Sequence, residues 1–400
     1  MKIGLIIDNP VHVGGGFHQA MNAVAQMKRI CADLHQVVIF TTIPNNISSM
    51  RQLGFDVASA SPTGFNVVGR ILRAVARRIG LAQLALKYEA STIERVLIQN
   101  DVQLAYFTTS SRIPGLFGSL NFITTAFDLF HLDMPEFPEI RSKGQFLERE
   151  AYFSTCVPQA AIVLAGSKWV AKKIEKYYKV DEHRVIYMPF EPSPFLSLGN
   201  VVALDVVLKK YNIKPGYYFY PAQMWPHKNH IILIEAIALL VKQKGAEVDF
   251  RLVFCGGDKG NSDWIKNAVK RLGLSDRVYF LGFVQPEELK ALYEGALAVV
   301  MPTYLGPTNI PPLEAWMMKR PLIYSAHLPE QVADAALMAD ADDAESWAEA
   351  MWAVRDPKVA EKLVISGERQ LGLIQNERLQ AESELVLKID QFARRRLCWE

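Results

Sequence analysis

Cysteine is scarce in this chain of 400 residues: Cys31, Cys156, Cys255 and Cys398 lie far apart and form no CxxC pair. That spacing suggests neither a disulfide framework nor a zinc site, so a reducing compartment is expected. An excess of charge of one sign is missing too. Lys and Arg number 44 against 42 Asp and Glu, a net charge of +2, and so even a balance argues against wholesale nucleic-acid binding. No apolar run approaches the roughly 20 residues of a membrane-spanning helix. The opening MKIGLIIDNP carries one Lys and a run that stops at Asp8, too short for a signal peptide. Repeats and low-complexity tracts are also lacking. What is there is a globular composition, half hydrophobic and 22% charged, at a length suited to two domains of roughly 150 to 200 residues with a cleft between them.

The segment KIGLIIDNPVHVGGGFHQAMNAVAQMK reads as a buried strand, a glycine loop and a helix with Ala20, Ala23 and Met27 on one face. That is the first unit of a doubly wound α/β domain. Apolar strands follow at 36–42, 102–109, 121–128 and 160–167. A Pro- and Gly-punctuated linker is expected near 188–212. A fresh alternation then starts at YYFYPAQ (217–223), with strands in FRLVFCGG, RVYFLG, LAVVMPT and PLIYSA separated by helices in SDWIKNAVKRLG, PEELKALYEGA and PPLEAWMMK. The expected division is 1–200, 201–385 and a C-terminal helix, 386–400, returning to the first domain.

Three stretches carry chemistry. Gly14, Gly15 and Gly16 end a strand and open a helix, where backbone N–H groups can approach a phosphate or simply make a tight turn. In YPAQMWPHKNH, Gln223 and Lys228 follow the first strand of the second half; a Lys there can neutralise a diphosphate as a point charge, or merely begin a surface helix. His227 and His230, at i and i+3 with no carboxylate near in sequence, do not read as a metal site. In GPTNIPPLEAW (306–316), Thr308 or Asn309 can cap a helix begun by Pro311 and Pro312. The N–H groups of Asn309 and Ile310 would then face an anion. Glu314, one turn in, is placed to accept hydrogen bonds from paired sugar hydroxyls.

Residues 215–350 resemble the donor-binding domain of GT-B fold, family-4-type (group 1) retaining glycosyltransferases, in the subset that builds bacterial surface polysaccharides. The resemblance rests on PAQMWPHK, on VYFLGFVQPEELKALY against xFLGxVxxEELxxLY, and on MPTYLGPTNIPPLEAWMMKRPLIYS against PSxxEGFGxPxLEAxxxGxPVI. It implies an α/β architecture of two Rossmann-like doubly wound domains facing a central cleft. It further implies that Lys228 contacts a nucleotide diphosphate, that Asn309 and Ile310 receive its distal phosphate, that Glu314 holds the ribose, that Phe283 and Val284 border the base, and that Gly14 to Gly16 close on the diphosphate or sugar. PEQVADAALMADADDAESWAEAM resembles the segment after that motif, so Asp340 and Asp342 are not read as a metal-binding DxD pair.

Three departures from the family pattern stand out. Its usual Arg before the Lys is Gln223, the first Glu of its Glu-x7-Glu pair falls on Gly306, and its frequent His-Asp pair is Phe127-Asp128. DLFHLDMPEFPE resembles a family segment in which Asp128 and His131 would lie at the rim of the cleft over the donor; His131 either orients the sugar or acceptor, or ties the acidic loop together. Residues 66–87 place Arg70, Arg73 and Arg77 along one stripe of an amphipathic helix, which either packs on its own domain or meets an anionic membrane or a lipid-linked acceptor. The expected activity is metal-independent, cofactor-free retaining transfer of a hexose, first of all mannose from GDP-mannose, to a surface polysaccharide or lipid-linked glycan, in the cytoplasm or at the inner face of the cell membrane. The alternatives are a non-catalytic scaffold of the same fold, argued against by the kept Lys228 and Asn309, and a nucleotide-sugar epimerase.

Overall fold

A computed structural model describes residues 1–10, 14–52, 54–60, 82–196 and 202–398. The chain forms two units: Met1–Asp133, Gly144–Phe190 and Glu377–Glu400 make the first, Met134–Lys143 and Glu191–Asn376 the second. The change of unit at 190 precedes the expected 200, and the return at 377 precedes the expected 386. The helix there is longer than expected, running from Pro357 to Leu397. Inside the expected linker the structure has a helix, Leu204–Tyr211, whose Val207 is fully buried. Gly- and Pro-rich flanks on both sides disguised it.

The first unit is a seven-stranded sheet in the order β3-β2-β1-β4-β5-β6-β7, from β1 (Lys2–Ile7), β2 (Gln36–Thr41), β3 (Val57–Ser59), β4 (Leu104–Phe107), β5 (Asn121–Ala126), β6 (Ile162–Ala165) and β7 (Val185–Tyr187). All pairs are parallel, with Ile3 opposite both Val37 and Leu104. Strands covered by helices on both faces must be apolar throughout. LAYF of β4 and IVLA of β6 are accordingly buried end to end. The three-residue strands β3 and β7 are too short to show a periodicity, and the sequence does not announce them. The first helix, Gly14–Cys31, buries Ala20, Ala23 and Met27 as expected, but Gln19, Asn22 and Gln26 are buried beside them. From the last segment, Glu382 accepts hydrogen bonds from Gln26 (2.9 Å) and Arg29 (2.7 and 2.9 Å), joining the final helix to the first.

The second unit repeats the principle with six strands ordered β10-β9-β8-β11-β12-β13. They are β8 (Tyr217–Pro221), β9 (Leu252–Cys255), β10 (Val278–Phe280), β11 (Ala296–Met301), β12 (Leu322–Ser325) and β13 (Leu337–Ala339). Helix His230–Lys244 buries Ile232, Leu233, Ile234, Ala236, Ile237 and Leu240. The order reverses between β8 and β11, and loops leaving the carboxyl ends of two such strands diverge to leave a crevice. Gln223 and Lys228 follow β8, and Gly306 to Asn309 follow β11. The fold therefore gathers, in space, two stretches about 80 residues apart. Among the described residues no helix is long and apolar enough to cross a membrane.

Candidate functional site

Lys228 ends a short 3-10 turn, Pro226–Lys228, at the carboxyl end of β8. The buried Tyr220 hydroxyl donates to its carbonyl (2.9 Å), and the His227 carbonyl accepts the Tyr304 N–H (3.0 Å), so the turn is tied to strand β8 below and to the β11 loop beside it. The Lys228 ammonium donates to Asn309 Oδ1 at 3.1 Å. Asn309 is 7% exposed, and its carboxamide donates to the Gly306 carbonyl (2.6 Å) and the Tyr324 hydroxyl (2.7 Å). Gln331 completes the network: its Oε1 accepts the Asn309 N–H (3.1 Å) and the Tyr324 hydroxyl (2.9 Å), and its amide donates to the Asn309 carbonyl. The Lys228 ammonium thus donates to a carboxamide that is itself fixed by Gly306, Tyr324 and Gln331.

This arrangement corrects the expected helix start. The helix Pro311–Met317 has Ile310 at its N-cap and no side-chain cap. Two prolines in the first turn leave fewer N–H groups needing a cap, so the Asn309 side chain is spent on Gly306 and Tyr324 instead. The Asn309 N–H does not face outward: Gln331 takes it. Gly306 also gains a physical reason. It has φ of 113°, a conformation that side chains rarely adopt, and a Cβ there would overlap the Asn309 carboxamide. A glutamate at 306 and this Asn309 network are mutually exclusive.

Glu314 is 4% exposed and accepts from the Tyr293 hydroxyl (2.5 Å) and the Ser193 N–H (3.3 Å). Burial pushes its pKa up to about 6, against the opposing pull of those two donors. Gln223 lies beyond β8 and accepts from the Trp225 indole (3.1 Å). After β10, Phe283 is 58% exposed while Val284 is buried. Thr308 and Ile310 are partly exposed on either side of Asn309. The second unit therefore brings Lys228, Thr308, Asn309 and Ile310 together around one crevice.

Sequence reading missed Gln331, Tyr324 and Tyr293, whose parts depend on pairings between distant elements. It also missed Glu139, which brings a carboxylate to His227: Oε1 accepts from the ring Nδ1 (2.6 Å) and from the His227 N–H (3.2 Å). His230, by contrast, is fully buried between Tyr220 and Phe254, and burial drives its pKa down to about 3. The two histidines share no centre. Donor atoms of His327, Asp340 and Asp342 come within 4.8 Å of one another at the surface, but Asp342 already accepts the Tyr304 hydroxyl (2.5 Å) and Asp340 its neighbour's N–H (3.0 Å).

In the first unit, Gly14, Gly15 and Gly16 form the first turn of the first helix. His131 is 0% exposed: its ring stacks on Phe153 (5.4 Å) and its Nε2 pairs with Glu150 (3.0 Å), which also takes the Tyr178 hydroxyl (2.9 Å). Burial lowers its pKa, with the Arg149 charge helping and Glu150 opposing. Asp128 accepts the Phe130 N–H (2.9 Å) and pairs with Arg149. Both side chains tie the turn after β5 to the helix Gln145–Ala151. Arg70, Arg73 and Arg77 lie outside the described residues.

Residues 216–356 match the family model described as glycosyl transferases group 1. The chain is 26% identical over 236 residues to an O-antigen chain mannosyltransferase B of Escherichia coli, covering 56% of this chain and 58% of that one. It is 32% identical over 195 residues to the O-antigen chain mannosyltransferase RfbU of Salmonella typhimurium, covering 47% and 49%. The chain thus spans about half the length of these curated relatives. In structure it is similar to Anabaena Alr3699/HepE, solved with UDP and glucose, with a TM-score of 0.68 and 14% identity over 98% of this chain and all of the other. Its two parallel-sheet units have the GT-B fold of such neighbours.

Proposed function

We propose, from a chain whose residues 216–356 form a group 1 glycosyl transferase domain on a GT-B frame, that it transfers a hexose from a nucleoside diphosphate sugar to a glycan hydroxyl. The observation that carries this reading is Lys228, whose ammonium, in the crevice between the β8 and β11 loops, donates to the Asn309 carboxamide oxygen. A diphosphate offers that ammonium a charged acceptor in place of a carboxamide, and a charge-assisted bond is roughly twice as strong as a neutral one. The same contact is strengthened as negative charge builds on the leaving nucleoside diphosphate, which lowers the barrier to departure.

Glu314 would accept the ribose hydroxyls, Phe283 would offer its exposed ring to the base with Val284 behind it, and Gln223 would add a neutral amide to the phosphates. Thr308 and Ile310 would border the distal phosphate. Asp128 and His131 would act by holding the turn after β5. The sugar is proposed to be mannose from GDP-mannose, supported by the two mannosyltransferase relatives. The acceptor is proposed to be a surface polysaccharide or lipid-linked glycan. Attack on the face the diphosphate leaves, assisted by its own oxygen, would retain configuration without a protein nucleophile or a metal.

Calorimetric titration with GDP, UDP, dTDP and ADP tests the phosphate assignment. Lys228→Ala is expected to weaken the preferred nucleotide by about tenfold to a hundredfold, the loss of one charged hydrogen bond. Unchanged affinity and turnover in Lys228→Ala would overturn it.

A further inference from the structure

The chain leaves the first unit after Asp133 and rejoins it at Gly144, and the residues between, Met134–Lys143, belong to the second unit. Within this excursion Pro138 opens a single helical turn, Pro138–Arg141, which sets Phe137 and Glu139 against the loops that flank Lys228. The Phe137 ring meets His227 of the β8 loop edge-on (6.3 Å, 80°) and Tyr304 of the β11 loop (5.5 Å). Glu139, its side chain 8% exposed, brings Oε1 to 2.6 Å from His227 Nδ1 and 3.2 Å from the His227 N–H.

The second of those bonds bears on Lys228. The 3-10 turn Pro226–Lys228 has two N–H groups, because a proline has none. The Lys228 N–H bonds the Trp225 carbonyl (3.0 Å), and Trp225 supplies no side-chain cap. That leaves the His227 N–H, and main-chain donors away from water are costly to leave unpaired. Glu139 takes it from 88 residues away in the chain, as a capping side chain does from next door. The carbonyls of His227 and Lys228 go to the Tyr304 N–H and the Tyr220 hydroxyl. Among these partners only Glu139 comes from outside β8, β11 and their loops.

Burial works to raise the Glu139 pKa, but the His227 ring, its own N–H and the His227 N–H outweigh burial and bring it below the ordinary carboxylate value. Glu139 is thus a charged acceptor at neutral pH, where its bonds to neutral N–H groups are strongest.

We propose that Glu139 is a positioning residue of the nucleotide site: it fixes the Pro226–Lys228 turn through His227 and so holds the Lys228 ammonium where a diphosphate meets it. The proposal rests on the glycosyl-transfer reading and adds to it a residue that touches no substrate. Two measurements on the full chain test it, with Glu139→Ala and with Glu139→Met, which fills the space without the carboxylate and decides if the alanine variant fails to fold. Hydrogen–deuterium exchange without ligand is expected to quicken about fivefold in a 223–230 peptide, while the helix Ser262–Arg271 exchanges as in the wild type. Affinity for the preferred nucleoside diphosphate is expected to fall about threefold to tenfold. In a Lys228→Ala background the same change at 139 is expected to alter that affinity by less than about twofold, because its effect runs through the lysine. A turn as protected in the folded variants as in the wild type overturns this proposal alone, and so does a loss equally large with and without Lys228, the mark of a role in folding only. An affinity that ignores Lys228→Ala overturns the phosphate assignment and this proposal with it.

Discussion

At the scale of single residues, Glu314 shows how one carboxylate couples the proposed site to stability. Its pKa, raised by burial from 4.5 to about 6, means that the folded chain holds this proton more tightly than the unfolded chain does. The stability tied to the proton is therefore complete below pH 4.5 and is lost as pH rises through 6. The loss is about 2 kcal/mol. Glu314→Gln keeps the shape and removes the charge. Urea unfolding is expected to find variant and wild type alike at pH 4.5 and the variant ahead by up to about 2 kcal/mol at pH 7.5, at the expense of nucleotide binding. A gap that stays constant between those pH values would refute the buried-charge account.

At the scale of elements, most strands and helices were legible because a doubly covered parallel strand must be an unbroken apolar run and a helix must change period. QVVIFT and YYFYP obey the first rule, SDWIKNAVKR the second. What stayed hidden was short or non-local: β3, β7 and β13 span three residues each, and Gln331 reaches Asn309 only because Pro329–Val332 packs beside the β11 loop. Lys228 and Glu314 were singled out from their places after a strand and in the first turn of a helix, whereas the burial of His131 depends on Phe153, Glu150 and Tyr178, which no local pattern reveals. The long helix Pro357–Leu397 offers a test of packing against propensity. Gly367 lies against Trp316, where a Cβ would overlap the indole, while Gly372 faces open space. An alanine gains up to about 1 kcal/mol of helix propensity at either position, but overpacking costs about 1–3 kcal/mol. Gly367→Ala is expected to lower stability by about 1–2 kcal/mol and Gly372→Ala to raise it by about 0.5–1 kcal/mol, both read from chemical denaturation. Equal effects at the two sites would show that Trp316 simply moves aside.

At the scale of the whole molecule, two separate cores predict two unfolding transitions in scanning calorimetry. A nucleoside diphosphate at a hundredfold its Kd stabilises the state that binds it by about 2.7 kcal/mol. The shift is expected in one transition only, that of the unit carrying Lys228, and it is expected to persist in EDTA because an ammonium supplies the charge. A shift abolished by the chelator would instead point to a cation held near His327, Asp340 and Asp342.

The first unit's core is closed by residues from the far end of the chain, with Glu382 bonded to Gln26 and Arg29 and Asp390 to His35. A ribosome delivers those partners only after the second unit. The first unit must therefore wait, partly assembled, while the whole of the second is synthesised, although N-terminal domains generally fold first. Arrest of translation near residue 350 should leave the second unit nearly complete and the first one open to protease.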